Sequence, residues 1–151
     1  MPELKVGDPA PDFSLPCESG EVVSLAGLRG KQVVLYFYPK DDTSGCTVEA
    51  CGFRDQIAAI ERAEAVVLGI SPDDRGSHQR FIEKFSLPFR LLVDEDGTVQ
   101  KAYGVYRPLI NGLIGPRRRT FVIDQAGRLK AIFPKVRVHG HAQEVLTALR
   151  S

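Results

Sequence analysis

Two of the three cysteines, Cys46 and Cys51, lie five positions apart in the stretch 38–55, "YPKDDTSGCTVEACGFRD". The stretch leaves an apolar run through a proline and passes Asp-Asp-Thr-Ser-Gly, residues that form turns and cap helices, before its composition turns helical. Cys46 therefore falls in the first turn of a helix, where free backbone N–H groups and the helix dipole favour an anion such as a thiolate. Cys51 stands about one and a half turns further along. The pair admits three chemistries: a redox couple, a metal site, or two small buried residues.

Free cysteine usually behaves as a small hydrophobe. That account suits Cys17, whose stretch "SLPCESG" shows no base, cap or cationic neighbour. Cys46 follows Thr-Ser-Gly at a helix start instead of lying on an apolar stripe, a position suited to a nucleophile. A zinc site could nominally draw on Cys46, Cys51, His78, His139 and His141. Metal knuckles, however, favour roughly two to four residues between paired cysteines in a tight turn. Here the pair runs along a helix, and the histidines are distant and in stretches that read as solvent-facing, with His141 near the start of the last helix. A dithiol exchanger of the thioredoxin type would carry Cys-x-x-Cys at this place, and the spacing is wider.

The elements that position these residues follow from periodicity. Apolar, β-branched runs at 22–25, 32–38, 65–71, 89–94, 119–124 and 128–133 read as strands, the second buried on both faces and the last two joined by a turn. The cysteine helix is expected to run to about Ala63, with Phe53, Ile57 and Ile60 at spacings of four and three. Further helices are expected within 71–85, 97–105 and 140–150. Strands alternating with helices and a late hairpin predict an α/β fold, a central mixed sheet flanked by helices on both faces. With 151 residues, 43% hydrophobic and 26% charged, the chain has the size and mix of one domain.

Twenty basic against nineteen acidic residues leave a net charge of +1, which gives no global field towards nucleic acid or an anionic membrane. The N-terminal stretch lacks a secretion signal, and no apolar run approaches the ~20 residues that span a bilayer, so a cytoplasmic location is expected. An odd, sparse set of cysteines points to a transient, catalytic disulfide in place of a structural one.

Pro39, Thr43 and Cys46 form the pattern P-x-x-x-T-x-x-C, and on this motif the sequence resembles the peroxiredoxins, above all the bacterioferritin comigratory protein or Q-type branch. The likeness extends over nearly the whole chain, through "GDPAPDFSLP", "GISPDD", "LLVDEDG", "RTFVID" and "KVRVHGHAQEVLTAL". It implies a thioredoxin-like fold with an N-terminal extension and thiol-dependent reduction of hydrogen peroxide and organic hydroperoxides. By resemblance Cys46 is the peroxidatic cysteine, Cys51 the resolving one, and Arg118, two before Thr120, the active-site arginine. Glu49 occupies a position where relatives carry a carboxylate that orients that arginine; a solvated helix carboxylate is the blander account. The resemblance further implies thioredoxin or a similar dithiol as reductant, no metal, haem, flavin or nicotinamide cofactor, and a monomer. The sequence carries no C-terminal extension with a further resolving cysteine, so intramolecular resolution is expected.

Physical chemistry agrees with those roles. Thiolate attack on an O–O bond puts charge on the leaving oxygen, which calls for donors in a water-poor pocket: the Thr43 hydroxyl, N–H groups at the helix start and a guanidinium. The Pro39 ring offers no donor and shields the thiolate from water. Alternation along a strand sends Arg118 one way and Arg117 and Arg119 the other. The Gly- and Pro-punctuated apolar loop 106–116 is longer than expected for this branch and is a candidate for peroxide or partner selectivity. The chief alternative from another class is a non-catalytic module that uses the same disulfide as a switch for a partner.

A helix holds residues five apart with Cα atoms roughly 8.6 Å from each other. A disulfide needs about 4.4–6.8 Å. The helix between Cys46 and Cys51 is therefore expected to unwind on oxidation, with Gly45 and Gly52 lowering helix propensity there.

Overall fold

The computed structural model describes residues 3–108 and 115–151. Its main sheet has the order β5-β4-β3-β6-β7, built from β3 (Gln32–Phe37), β4 (Ala65–Ser71), β5 (Arg90–Val93), β6 (Arg119–Ile123) and β7 (Leu129–Phe133). β3 pairs parallel with β4 and β4 with β5, while β6 runs antiparallel to both β3 and β7. All six residues of β3 are buried, as its unbroken apolar run requires of a central strand. The mixed sheet and late hairpin match the expectation from sequence.

Side-chain alternation on β3 divides the core into two layers. Val34 and Tyr36 face one layer, shared with Cys46, Ala50 and Phe53 of α1 (Ser44–Asp55), Ile60 of α2 (Ile57–Arg62), Phe81 of α3 (Arg75–Phe85), and Val145 and Leu149 of α5 (His141–Leu149). Val33, Leu35 and Phe37 face the other, covered by Val99 of α4 (Thr98–Ala102) and by Ala10, Phe13, Val23 and Leu25 of the N-terminal extension. The extension forms its own antiparallel pair, β1 (Ser14–Pro16) with β2 (Val22–Ser24). β1 carries no strand signal in the sequence because its three residues Ser-Leu-Pro include a proline. Among the described residues no helix is long and apolar enough to cross a membrane.

Two expectations are corrected. The cysteine helix does not run to Ala63: it ends at Asp55, Gln56 takes φ −104° and ψ 7°, and α2 begins afresh at Ile57. The apolar period continues across the break because both helices pack on the same layer, so side-chain spacing conceals a backbone break. The histidines are not uniformly solvent-facing. His139 is exposed, but His78 is 0% and His141 1% exposed. Both sit on amphipathic helices whose buried stripe a polar ring can share once its nitrogens find partners.

Candidate active site

The chain enters α1 through a tight turn. Asp42 adopts a left-handed φ of 57°, and Thr43 is extended at the N-cap position, so Cys46 is the third helical residue. The Thr43 hydroxyl does not cap the helix; it donates to Lys40 O at 3.0 Å. Placement of Cys46 in the first turn therefore follows from the local turn signals, as its sequence predicts.

Cys46 is only 1% exposed, and the group that reaches it comes from far along the chain. Arg118 Nη1 donates to Cys46 Sγ at 3.2 Å and to Glu49 Oε1 at 3.0 Å. Gly45 makes this approach possible: a Cβ there would stand 3.1 Å from Arg118 Nη2. Arg118 is the residue before β6, not within it; Arg119 lines a cavity on the opposite layer with Tyr103 and Phe121, as expected, and Arg117 is exposed.

Glu49 is no solvated helix carboxylate, since it is 1% exposed. Burial pushes its carboxyl up to about 7, against the opposing pull of the Arg118 charge and hydrogen bond. Burial disfavours the charged guanidinium too, but the neighbouring Cys46 and Glu49 outweigh it and hold Arg118 above its ordinary range. Beyond Glu49 lies His141, with Nε2 4.0 Å from Glu49 Oε2 and 2.7 Å from Thr120 Oγ1.

Pro39 follows β3 by two residues and is half-buried. Gly115 packs so closely on it that a Cβ would meet Pro39 O at 2.8 Å, which brings the described end of the 106–116 loop over the site. The rest of that candidate selectivity loop, 109–114, lies outside the described residues. Cys51 is half-buried on α1, and all three cysteines are free thiols. Cys17 is fully buried near Ser19 Oγ at 3.2 Å, as a small core residue.

The turn before α1 is held by a second polar cluster that sequence reasoning missed. Asp41 accepts from Tyr38 OH at 2.5 Å and Ser77 Oγ at 2.7 Å, and lies 2.7 Å from His78 Nδ1. Asp41 N donates to Asp73 Oδ2 at 2.8 Å. The only sequence signal was the Asp-Asp pair after Pro39, which reads equally as turn chemistry.

The arrangement offers a buried thiol with a cation on its sulfur at a helix N-terminus. Comparison with known proteins agrees. Residues 6–132 match the AhpC/TSA family. A putative peroxiredoxin Bcp of Coxiella burnetii is 50% identical over 97% of this chain and 99% of its own. The solved peroxidoxin BcpB of Mycobacterium tuberculosis superposes with a TM-score of 0.91 at 37% identity, covering 98% of this chain and 97% of that one. A bacterioferritin comigratory protein of Xanthomonas campestris, whose structures were described for its alkyl peroxide reduction activity, gives 0.85 at 34% identity, covering 91% and 90%. With a free cysteine on the family's motif and a thioredoxin-like sheet beneath it, the chain belongs to the AhpC/TSA family and, within it, to the Bcp and Q-type peroxiredoxins.

Proposed function

We propose that this thiol peroxidase reduces hydroperoxides through Cys46. The Cys46 sulfur attacks one peroxide oxygen; an S–O bond forms as the O–O bond breaks, and the other oxygen leaves as water or an alcohol after taking a proton. Sulfur is oxidised to a sulfenic acid and the peroxide is reduced. Cys51 then displaces water from the sulfenic acid, closing an intramolecular disulfide, which a dithiol of the thioredoxin type returns to two thiols.

The observation that carries this reading is the hydrogen bond from Arg118 Nη1 to Cys46 Sγ at 3.2 Å. A fixed guanidinium at the sulfur stays in reach of the leaving oxygen as charge develops there. Thr43, whose own proton is given to Lys40 O, keeps lone pairs that can accept from the peroxide O–H. Pro39, roofed by Gly115, keeps water from the sulfur, and Glu49 orients Arg118. Unbroken helix from Ser44 to Asp55 holds Cys46 and Cys51 too far apart to bond, so the disulfide requires α1 to unwind, while α2, separate beyond Gln56, stays folded. Resolution within one chain suits a monomer.

Stopped-flow oxidation of the reduced protein by hydrogen peroxide tests the reading. Cys46 is expected to react orders of magnitude faster than a free thiol, with most of that gain lost in Arg118→Ala. Cys46→Ser should abolish peroxide consumption, and Cys51→Ser should leave one fast turnover without thioredoxin-linked cycling. Full turnover by Cys46→Ser would overturn the assignment; a free-thiol rate in the wild type would favour a redox-responsive partner switch.

A further inference from the structure

His141 opens α5 with its ring 1% exposed, set edge-on against Phe53 and Phe133 at centroid distances of 5.7 and 5.3 Å. Phenylalanine would fill that space equally well, and a polar ring there is costly unless its nitrogens are used. Nε2 is used: it lies 2.7 Å from Thr120 Oγ1, and 4.0 Å from Glu49 Oε2. That carboxylate oxygen is the one Arg118 leaves without a hydrogen-bond partner. Thr120 stands two residues after Arg118 and faces the same layer. Three elements distant in sequence thus converge on one carboxylate: α1 through Glu49, the β6 segment through Arg118 and Thr120, and α5 through His141.

We propose that His141 is a positioning residue for peroxide reduction: its Nε2–H, donated to Thr120 Oγ1, sets the positive end of the ring dipole 4.0 Å from Glu49 Oε2 and holds the carboxylate so that Oε1 keeps Arg118 on Cys46. The proposal rests on the reading of Cys46 and Arg118 given above. At 4.0 Å the contact is too long for a hydrogen bond and acts as a charge–dipole interaction, which the buried setting strengthens. The tautomer protonated at Nε2 donates to Thr120 Oγ1, puts the positive end of the ring dipole on the Glu49 side, and leaves Nδ1 as a bare acceptor. Burial lowers His141 to about 4, so the ring is neutral at ordinary pH and adds a dipole without a second buried charge.

Among the described residues, Arg118 before β6 is hydrogen-bonded to Glu49, His141 on α5 lies 4.0 Å from it, and Tyr36 on β3 is close enough to feel its charge. With burial already holding Glu49 at about 7, loss of the dipole at Oε2 moves its ionisation higher, and the carboxylate that pairs with Arg118 forms later as pH rises.

The test is the rate of Cys46 oxidation by hydrogen peroxide, followed across the pH range of Glu49 ionisation in wild type, His141→Phe, His141→Gln, Glu49→Gln and the Glu49→Gln/His141→Phe pair. A glutamine amide nitrogen reaches the place of Nε2; phenylalanine keeps only the packing. His141→Phe is expected to react about tenfold more slowly at neutral pH, with its acidic limb moved to higher pH. His141→Gln should recover most of the rate, and His141→Phe should add no further loss once Glu49 is Gln. A wild-type rate and pH limb in folded His141→Phe overturns the proposal, as does an undiminished loss in the Glu49→Gln background. Should His141→Phe not fold, Thr120→Val, which removes the brace, must show the same displaced limb or the proposal fails. Peroxide turnover by Cys46→Ser would instead overturn the underlying assignment, whereas normal Cys46 dependence with an unaltered His141→Phe overturns only this one.

Discussion

Two buried histidines flank the start of α1, and they are used in opposite ways. His78 is saturated: Nδ1 lies 2.7 Å from Asp41 Oδ2 and Nε2 2.9 Å from Leu92 O. Both neighbours can accept, an arrangement that favours the doubly protonated ring. Burial works against that charge, but the hydrogen bond and charge of Asp41 outweigh it and raise His78 above its ordinary range. His141, without a counter-charge in hydrogen-bond reach, is held neutral by burial, and one atom each of His141 and Glu49 lacks a partner. The difference teaches where the molecule holds still and where it can open. Asp41, pinned by Tyr38, Ser77, His78 and Asp73, fixes the turn that carries Pro39 and Thr43. Glu49 lies between the two cysteines, in the very turn that must unwind, and its incomplete hydrogen bonding leaves less to lose when it does.

The largest expected effect breaks the saturated cluster. Asp41→Ala removes the hydrogen-bonded counter-charge of His78 and strands the Tyr38 and Ser77 hydroxyls, so it should cost about 3–5 kcal/mol in urea unfolding. A loss below about 1 kcal/mol would mean the cluster does not anchor the turn.

The next effect sharpens the electrostatic contrast. Glu49 rises in the folded state from 4.5 to about 7, so the stability tied to its protonated form is fully present below its unfolded value and is lost as pH rises through about 7. Relative to Glu49→Gln, the wild type should lose on the order of 3 kcal/mol across that window. His141 has the opposite sign: depressed from 6.5 to about 4, it costs stability as pH falls through that window. A flat difference between wild type and Glu49→Gln over the Glu49 window would deny that its carboxylate is buried as described.

Amide exchange compares the two regions directly. In the verified disulfide form, residues 46–53 should exchange at least tenfold faster than in the dithiol form, while Tyr38 and His78 keep their protection. Equal protection of α1 in both forms, or loss around His78, would erase the distinction between post and moving helix. The smallest effect concerns Gly52, where a Cβ would meet Ala142 Cβ at 3.6 Å, an ordinary contact. Gly52→Ala should stabilise α1 by up to about 1 kcal/mol and slow disulfide closure a few-fold without altering the first oxidation of Cys46; faster closure would argue against unwinding as a required step.

Local order in this protein was legible in its residues. The apolar β-branched runs predict all five strands of the main sheet, and Asp-Asp-Thr-Ser-Gly predicts the helix start that puts Cys46 in a first turn, because such signals act over one or two turns of chain. The motif held Pro39 and Thr43 beside Cys46, and the family resemblance it carries implied Cys51, Arg118 and Glu49 as further candidates. What tertiary structure alone decided is which of them meet, and how. Arg118 reaches Cys46 across 72 positions, and Glu49 is buried only because β6 and α5 close over it. The helix break at Gln56, the pairing of β1 and the interior places of His78 and His141 belong to the same class. Amphipathic spacing records which face is apolar, but whether a polar ring on that face finds an acceptor depends on elements that sequence distance hides, and that choice separates an anchor bonded at both nitrogens at His78 from a neutral dipole at His141.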